Sequence, residues 1–148
     1  DYAHHPTEIK STLSAIRNKY ANDIYCIFQP HTFTRTKLLL NSFAESFDDA
    51  DKIIIPDIYA AREKDYGDIH SRMLVDAIIK NGKKAIYLGS FDEVKKHLVQ
   101  NAKPGDCIVT MGAGDVFEIG EEILNEQKEK QVPVFDTISS SSETIAAY

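Results

Sequence analysis

Apolar residues follow two patterns along this chain, and each pattern predicts one kind of element. Short runs of consecutive apolar residues, such as Ile24–Phe28, are typical of parallel strands buried on both faces. Longer segments whose apolar residues recur every three or four positions predict amphipathic helices. The predicted strands are 24–28, 52–56, 84–88 and 106–110, with one more possible at 132–138. The predicted helices are about 6–20, 34–48, 71–80, one that begins after Ser90, and one from Val116 to about Lys128.

Local signals support several of these helix ends. Pro6 suits a first helical turn, where its missing N–H costs nothing. Ser90 and Glu93 have the spacing of a capping box. Asn81-Gly82 is a typical helix stop. The predicted inward faces carry Ile9, Leu13, Ile16 and Tyr20; Leu39, Leu40, Phe43, Ala44 and Phe47; Met73, Leu74, Ala77 and Ile78; Phe91, Val94, Leu98 and Val99; and Val116, Ile119, Ile123 and Leu124.

The alternation of strands with helices predicts an α/β fold with a mostly parallel sheet and helices on both faces. Sheets of this kind bind ligands at the carboxyl ends of their strands. Polar clusters follow three predicted strands, at 29–35, 57–63 and 112–115. We therefore expect these clusters to meet at one edge of the sheet and to form a site there.

Composition narrows the class of protein. The 148 residues suffice for one domain, and 43% hydrophobic and 27% charged residues are ordinary for a globular protein. The net charge of −6 argues against nonspecific nucleic-acid binding, which needs an excess of Lys and Arg. No apolar run approaches the roughly 20 residues that span a bilayer, so no membrane association is expected.

The two cysteines, Cys26 and Cys107, lie within predicted strands. Cysteines in such positions are typically buried, reduced thiols, which favours a reducing compartment such as the cytoplasm. Their spacing does not indicate a zinc site.

The first eight residues, Asp1–Glu8, place three aromatic or imidazole rings and two carboxylates before the first helix. The chain also begins without methionine, and we expect it to be a fragment of a longer protein. Metal ligation by His4 and His5 is disfavoured, because they are adjacent rather than four residues apart on a helix. Either one of them caps the helix, or the pair contacts a substrate or nucleotide. In the second case, His4 could orient or deprotonate an amine nucleophile, since imidazole titrates near neutral pH.

Arg35 is the strongest candidate for anion binding in the cluster that follows the first strand. Its guanidinium could bind a carboxylate or phosphate with two hydrogen bonds. The alternative is a solvated first-turn arginine, a position that the helix dipole mildly disfavours. His31, four residues earlier, could lie beside it.

The segment Gly112-Ala113-Gly114-Asp115 joins a strand to a helix. It lacks the third glycine of a dinucleotide-binding motif and the Gly-Lys-Ser/Thr of a P-loop. It is therefore either a tight turn or a loop whose backbone N–H groups face an anion. Arg62 and Glu63 are predicted to be solvated loop charges rather than site residues.

Three motifs, in this order, resemble the C-terminal domain of the Mur ligases: DYAHHPTE at residues 1–8, FQPHTFTRT at 28–36 and GAGD at 112–115. The resemblance covers about residues 1–130. It leaves 131–148 as a possible edge strand and a loose tail. Within the family, the motifs are most similar to the branch that joins L-alanine to UDP-N-acetylmuramate.

The resemblance implies a Rossmann-like three-layer sandwich whose mostly parallel sheet has one antiparallel edge strand. It also implies that this chain is the third of three domains. The first would bind UDP-N-acetylmuramate, and the central one would hold ATP and magnesium on a P-loop. The implied reaction is a step of peptidoglycan precursor synthesis in the cytoplasm: ATP converts the muramate carboxylate to an acyl phosphate, and the L-alanine amine then attacks. This domain alone should be inactive, because the P-loop and the UDP-sugar pocket lie elsewhere.

Site residues carried over from the family are implied position by position. Arg35 would bind the alanine carboxylate, with Tyr2 and His31 also around the substrate and His4 as the catalytic group beside the amine. Asp1 and His5 would lie near the nucleotide. Thr32 occupies a place where many relatives have arginine, so one cation is absent there. No metal ligand is expected in this chain.

Two other functions remain open. One is the related ligase that recycles murein peptide by attaching a tripeptide to the same UDP-sugar, which needs a more open pocket. The other is a non-catalytic α/β module that binds a nucleotide or a partner protein.

Overall fold

Strands and helices alternate along the chain in the order that the apolar pattern predicts. The structure, a computed structural model, describes residues 1–130 and 136–138. The strands are β1 (Ile24–Phe28), β2 (Lys52–Ile55), β3 (Ala85–Tyr87), β4 (Cys107–Met111) and β5 (Asp136–Ile138). The helices are α1 (Pro6–Arg17), α2 (Phe33–Leu38), α3 (Leu40–Ala44), α4 (Ser71–Lys80), α5 (Phe91–Asn101) and α6 (Phe117–Lys130).

The strands form one sheet in the order β3-β2-β1-β4-β5. All four strand pairs are parallel, so the antiparallel edge strand expected from the family resemblance is wrong for the described strands. Of the strand predicted at 132–138, Asp136–Ile138 is a strand in the structure; residues 131–135 and the loose tail predicted after this strand lie outside the described part of the chain. The central strand β1 has all five of its side chains buried, because helices cover both faces of the sheet.

Helices cover both faces of the sheet, which confirms the three-layer α/β architecture. Alternate β1 side chains, Cys26 and Phe28 among them, pack with residues of α1, α3 and α4 on one face. The intervening side chains, Tyr25 and Ile27, pack with residues of α5 and α6 on the other. The alternation follows from the period of two in a strand. Both cysteines are buried and form no disulfide, as predicted.

The helix predicted at 34–48 is two short helices in the structure. Leu39 separates them with φ −107° and ψ 17°, values outside the helical region. Phe43 and Phe47 still reach the core and contact Phe28, with ring centroids 5.2 and 5.7 Å apart. The apolar spacing therefore predicts the buried side chains correctly, but it contains no signal for the local break in the helical backbone.

Three further predictions about the helices need correction. The first helix ends at Arg17 rather than near residue 20: the N–H groups of Lys19 and Tyr20 both donate to the Ile16 carbonyl, over 2.9 Å each, which closes the last turn. Met73 and Val99, predicted to face inward, are 44% and 58% exposed. Each lies next in sequence to a fully buried leucine and falls off the buried stripe of its helix.

Candidate functional site

Segments that follow β1, β2 and β4 meet at the carboxyl edge of the sheet, as the polar clusters predict. His31, beyond β1, forms an isolated parallel bridge with Tyr59, beyond β2. The N–H of Thr32 donates to the Tyr59 carbonyl over 2.8 Å, and the N–H of Tyr59 donates to the Pro30 carbonyl over 2.8 Å. The two loops therefore continue the strand pairing past the ends of β1 and β2, which fixes the backbone of His31.

The N-terminal segment reaches the same edge through β4. The Asp1 amino group donates to the Thr110 carbonyl over 2.7 Å, and the Gly112 N–H donates to the Asp1 carbonyl over 3.2 Å. The Asp1 carboxylate accepts from the Ala3 N–H at 2.7 Å and from the Thr12 hydroxyl at 3.4 Å. Asp1 therefore holds the turn that leads to the two histidines, and its expected place near a nucleotide remains a prediction.

His5 caps α1, which is one of the two roles the sequence left open for the histidine pair. Its Nδ1 accepts from the Thr7 N–H at 3.5 Å. Glu8 completes the capping box by accepting from the His5 N–H at 3.1 Å and from the His4 N–H at 2.9 Å. The backbone bond from His4 is the main reason that the pKa of Glu8 lies below its usual value. Structural capping and ligand contact by His5 are compatible, because its side chain is exposed.

His4 is partly buried and faces the predicted site. Its Nδ1 lies 2.9 Å from the Tyr2 carbonyl oxygen. A carbonyl can only accept, so this contact places a proton on Nδ1, and in the neutral form of the imidazole the lone pair is then on Nε2. The rings of Tyr2 and His31 lie 5.2 and 6.0 Å away, centroid to centroid. The structure thus brings Tyr2, His4 and His31 together.

Arg35 lies beside His31, with Nη1 3.5 Å from Nδ1 of the imidazole. Because a guanidinium only donates, this contact makes Nδ1 the acceptor and places the His31 proton on Nε2. Burial, followed by the positive charge of Arg35 and by His4, lowers the pKa of His31, while Glu63 acts in the opposite direction. His31 is therefore neutral at neutral pH and can donate from Nε2.

The Arg35 guanidinium has no acidic partner in the described part of the chain, where the ion pairs involve other cations. Arg35 is half-buried in the first turn of α2. A half-buried guanidinium without an acidic partner at the carboxyl edge of a parallel sheet is suited to an incoming carboxylate.

Thr32, at the place of the expected arginine, is the N-cap of α2. Its hydroxyl accepts from the Arg35 N–H at 3.4 Å. Its φ of 65° lies in a region that a β-branched residue rarely adopts. Thr32 therefore shapes the turn that orients Arg35 and does not supply a second cation.

Glu63 is a residue whose role the sequence reasoning missed. It was predicted to be a solvated loop charge, but its carboxylate accepts from the Thr34 N–H at 2.8 Å and so caps the first turn of α2. This bond is the main reason that its pKa lies below the usual value. Arg62, the other predicted loop charge, is exposed as expected. The sequence offers one signal for Glu63: an acidic side chain is suited to the free N–H groups at the start of a helix.

Tyr59 is the second missed residue. Its ring stacks on His31, with centroids 5.6 Å apart and planes 20° apart. The only available signal was its position in the polar cluster after β2.

The loop from Gly112 to Asp115 lies against the same group of residues. Asp115 accepts from the Gln29 side-chain amide at 3.1 Å. A Cβ on Gly112 would lie 3.0 Å from Val116 and 3.1 Å from the Gln29 carbonyl oxygen. The absence of a side chain at Gly112 therefore permits the turn to pack closely against Gln29 and Val116. The loop therefore forms a tight turn that borders the site, and the alternative of anion binding by its N–H groups stays a prediction.

The described residues contain neither a metal-binding cluster nor a membrane-spanning helix. No group of three or more His, Cys, Asp or Glu side chains is arranged to hold a metal ion in those ranges. None of the helices there combines the length and apolar character needed to cross a membrane.

Comparison with known sequences identifies the domain type. The profile of the family described as "Mur ligase, glutamate ligase domain" matches residues 1–114. The UDP-N-acetylmuramate–L-alanine ligases of Acetivibrio thermocellus and Caldanaerobacter subterraneus are each 56% identical over 128 residues, or 86% of this chain. The chain spans 27% and 28% of those relatives, about a quarter of their length.

Solved structures show the same fold. UDP-N-acetylmuramate–alanine ligase from Thermotoga maritima superposes with a TM-score of 0.69 at 24% identity, over 88% of this chain and 26% of that one. A murein peptide ligase from Psychrobacter arcticus gives 0.67 at 28% identity, over 84% and 26%. A domain of a putative UDP-N-acetylmuramate:L-alanyl-γ-D-glutamyl-diaminopimelate ligase from Haemophilus ducreyi gives 0.60 at 29% identity, over 85% and 86%. The match across residues 1–114 and the high identity to these ligases show that the chain belongs to the Mur ligase family, as its C-terminal domain.

Proposed function

We propose that this chain is the amino-acid-binding domain of an ATP-dependent, cytoplasmic ligase that joins L-alanine to UDP-N-acetylmuramate in peptidoglycan precursor synthesis. Relatives that carry this activity in their names are 50–56% identical to the chain. The observation that carries the proposal is the Arg35 guanidinium, which has no carboxylate partner among the described residues and lies 3.5 Å from a neutral imidazole.

Arg35 binds the carboxylate of the amino acid. A guanidinium presents two parallel N–H groups to the two oxygens of a carboxylate, and the bonds are strengthened by charge. His31 remains neutral beside Arg35, so it adds an N–H donor from Nε2 without adding positive charge to the cluster. Tyr2 lies next to His4 at the exposed side of this group and borders the substrate.

His4 acts on the amine end of the amino acid. Because its Nδ1 proton is held by the Tyr2 carbonyl, the Nε2 lone pair is available to accept a proton from the ammonium group or to orient the free amine. The amine must be neutral and close to the acyl carbon before it can attack. His4 and Arg35 each lie beside His31, at 6.0 Å between ring centroids and at 3.5 Å between Nη1 and Nδ1, which supports contact of one amino acid with both of them.

ATP and magnesium belong mainly to the other domains of the ligase. The fit of this chain to magnesium is poor, since its described residues offer no cluster of three ligating side chains. Asp1 and His5 are the residues that we assign to the nucleotide side; His5 is exposed, while the Asp1 carboxylate is already hydrogen-bonded within the turn. ATP, when bound, supplies the phosphoryl group that activates the muramate carboxylate.

The second candidate function, attachment of a murein tripeptide to UDP-N-acetylmuramate by the recycling ligase, is supported by the fold comparison. Two of the similar structures have names that describe ligases of murein peptides, at 28% and 29% identity. The higher identity to the alanine-adding enzymes favours the first proposal. A non-catalytic binding module is the third possibility that the assay below separates.

A phosphate-release assay on the full-length ligase tests the proposal. The assay contains ATP, magnesium and UDP-N-acetylmuramate, with L-alanine, glycine, L-serine or the murein tripeptide as the amine. We expect turnover that depends on L-alanine, and no turnover from the 148-residue chain alone. Turnover with the tripeptide only would transfer the domain to the recycling ligase. Failure of every amine would leave a binding module.

A further inference from the structure

Tyr59 contacts His31 through both its main chain and its ring. Two backbone hydrogen bonds of 2.8 Å join Tyr59 to Pro30 and Thr32, the neighbours of His31 on either side. The phenol ring is stacked on the imidazole, 5.6 Å away and only 20° from parallel. The backbone bonds place the His31 Cα, and the stacked ring restricts the rotation of the imidazole.

Gly114 lies against the Tyr59 ring. A Cβ on Gly114 would lie 2.8 Å from Cγ and Cδ2 of Tyr59 and 2.7 Å from Oε1 of Gln29, distances that real Cβ contacts do not show. Gly114 is not among the glycines with positive φ, so its backbone is accessible to any residue. The space taken by the Tyr59 ring therefore requires glycine at this position. Gln29 cannot yield easily, because it is 5% exposed and bonded to Asp115.

The phenol oxygen of Tyr59 makes no hydrogen bond within residues 1–130 and 136–138, although the backbone of Tyr59 makes two. Tyr59 is 36% exposed, so its hydroxyl can be solvated. The ring therefore stacks on the His31 imidazole, and the backbone of Tyr59 bonds to the residues on either side of His31, without any hydrogen bond from the phenol oxygen. The substitution Tyr59→Phe removes only the hydroxyl, so it separates the contribution of the ring from that of the hydroxyl.

We propose that Tyr59 is a positioning residue: its ring, supported by Gly114, holds His31 against Arg35 for binding of the amino-acid substrate. The proposal rests on the proposed function. His31 follows β1, Tyr59 follows β2 and Gly114 follows β4, so the contacts of the Tyr59 ring connect the three loops that form the proposed site. Loss of the ring frees the imidazole to rotate away from Arg35, and the guanidinium then loses the neighbour that orients it.

The protonation of His31 provides a readout that does not depend on turnover. The charged or titratable groups that face His31 are Arg35, His4, Glu63 and Tyr59. Burial is the largest contribution that lowers its pKa, and the Tyr59 ring covers one face of the imidazole. Removal of the ring should therefore raise the pKa of His31 toward its ordinary value, whereas removal of the hydroxyl alone should leave it unchanged.

The experiment compares Tyr59→Ala, Tyr59→Phe and Gly114→Ala, with Tyr66→Ala as a control. Tyr66 lies in the same loop region and is 78% exposed, with the Lys64 ammonium 5.7 Å from the centre of its ring. In the full-length ligase we expect Tyr59→Ala and Gly114→Ala to lower kcat/KM for L-alanine by about 10- to 100-fold, the range typical of a small displacement of a site group. KM for ATP should not change, and Tyr59→Phe and Tyr66→Ala should match the unsubstituted enzyme.

The histidine titration, followed by NMR on the 148-residue chain, accompanies the kinetics. A raised His31 pKa in Tyr59→Ala but not in Tyr59→Phe supports positioning by the ring. A loss in Tyr59→Phe equal to that in Tyr59→Ala would overturn the proposal, because the hydroxyl would then be the functional group. Unchanged kinetics and an unchanged His31 pKa in Tyr59→Ala would also overturn it. If the unsubstituted ligase does not use L-alanine, the proposed function fails, and the titration still decides whether Tyr59 positions His31.

Discussion

Replacing Arg35 by alanine should weaken L-alanine binding without weakening ATP binding. Within the described residues no carboxylate is paired with Arg35, so its removal strands no buried acid in the free protein. Its side-chain neighbour is His31, at 3.5 Å. The free energy of unfolding should therefore stay within about 0.5 kcal/mol of the original value.

The loss in binding is much larger than the loss in stability. Truncating one partner of a hydrogen-bonded charge pair costs about 2–5 kcal/mol. Arg35 is only half-buried, so the lower part of that range applies, about 2–3 kcal/mol. At about 1.4 kcal/mol per tenfold, KM for L-alanine should rise about 30- to 150-fold.

Steady-state phosphate release with L-alanine and ATP varied separately checks this prediction. The KM for L-alanine of Arg35→Lys should lie between those of the original enzyme and of Arg35→Ala, because lysine keeps the charge but loses the planar pair of donors. Arg62→Ala is the matched control, since Arg62 is an exposed arginine in the neighbouring loop and should have no effect. Equal increases in the two KM values, or an equal effect of Arg62→Ala, would refute the assignment.

Two further predictions concern stability and are measured by urea unfolding of the 148-residue chain. Glu8→Ala removes the capping box of α1 and should lower the free energy of unfolding by about 1 kcal/mol at neutral pH. The pKa of Glu8 is lowered in the folded state, so its stabilisation is present above the ordinary pKa of 4.5 and is lost as pH falls through the folded pKa. The difference in the free energy of unfolding between the original chain and Glu8→Ala should therefore shrink in acid. A difference that grows in acid would contradict the role of Glu8 in the cap. Leu13→Ala, at a fully buried position of α1, should cost about 2–5 kcal/mol, whereas Leu38→Ala, at a position that is 80% exposed, should cost less than about 0.5 kcal/mol. Similar costs for the two leucines would contradict the assignment of the core.

The strands could be predicted from the sequence because each is buried on both faces. Ile24–Phe28 is apolar throughout, and such a run has few other places in a globular protein. The polar residues after it were predicted to converge with those after β2 and β4, because parallel strands end at one edge. The bridge between His31 and Tyr59 is the direct outcome of that rule.

The details that the sequence did not predict depend on the path of the loops. Thr32 adopts a positive φ, which no β-branched residue favours, so neither its cap nor the orientation of Arg35 could be inferred. The contact of Glu63 with α2 joins residues 29 positions apart. The break at Leu39 leaves no trace in the apolar spacing, because the buried side chains on either side keep a helical period.

The most direct test of the central claim compares L-alanine with L-alaninamide, which lacks the charged carboxylate, in the full-length ligase and in its Arg35→Ala variant. The original enzyme should prefer L-alanine in kcat/KM by about 30- to 150-fold, the value of the same charge pair. The preference of the original enzyme for L-alanine, divided by the preference of Arg35→Ala, does not depend on any difference in amine reactivity between L-alanine and L-alaninamide. In Arg35→Ala the preference should fall close to that intrinsic difference. An undiminished preference in Arg35→Ala would show that another group binds the carboxylate, and the account of the site would be wrong.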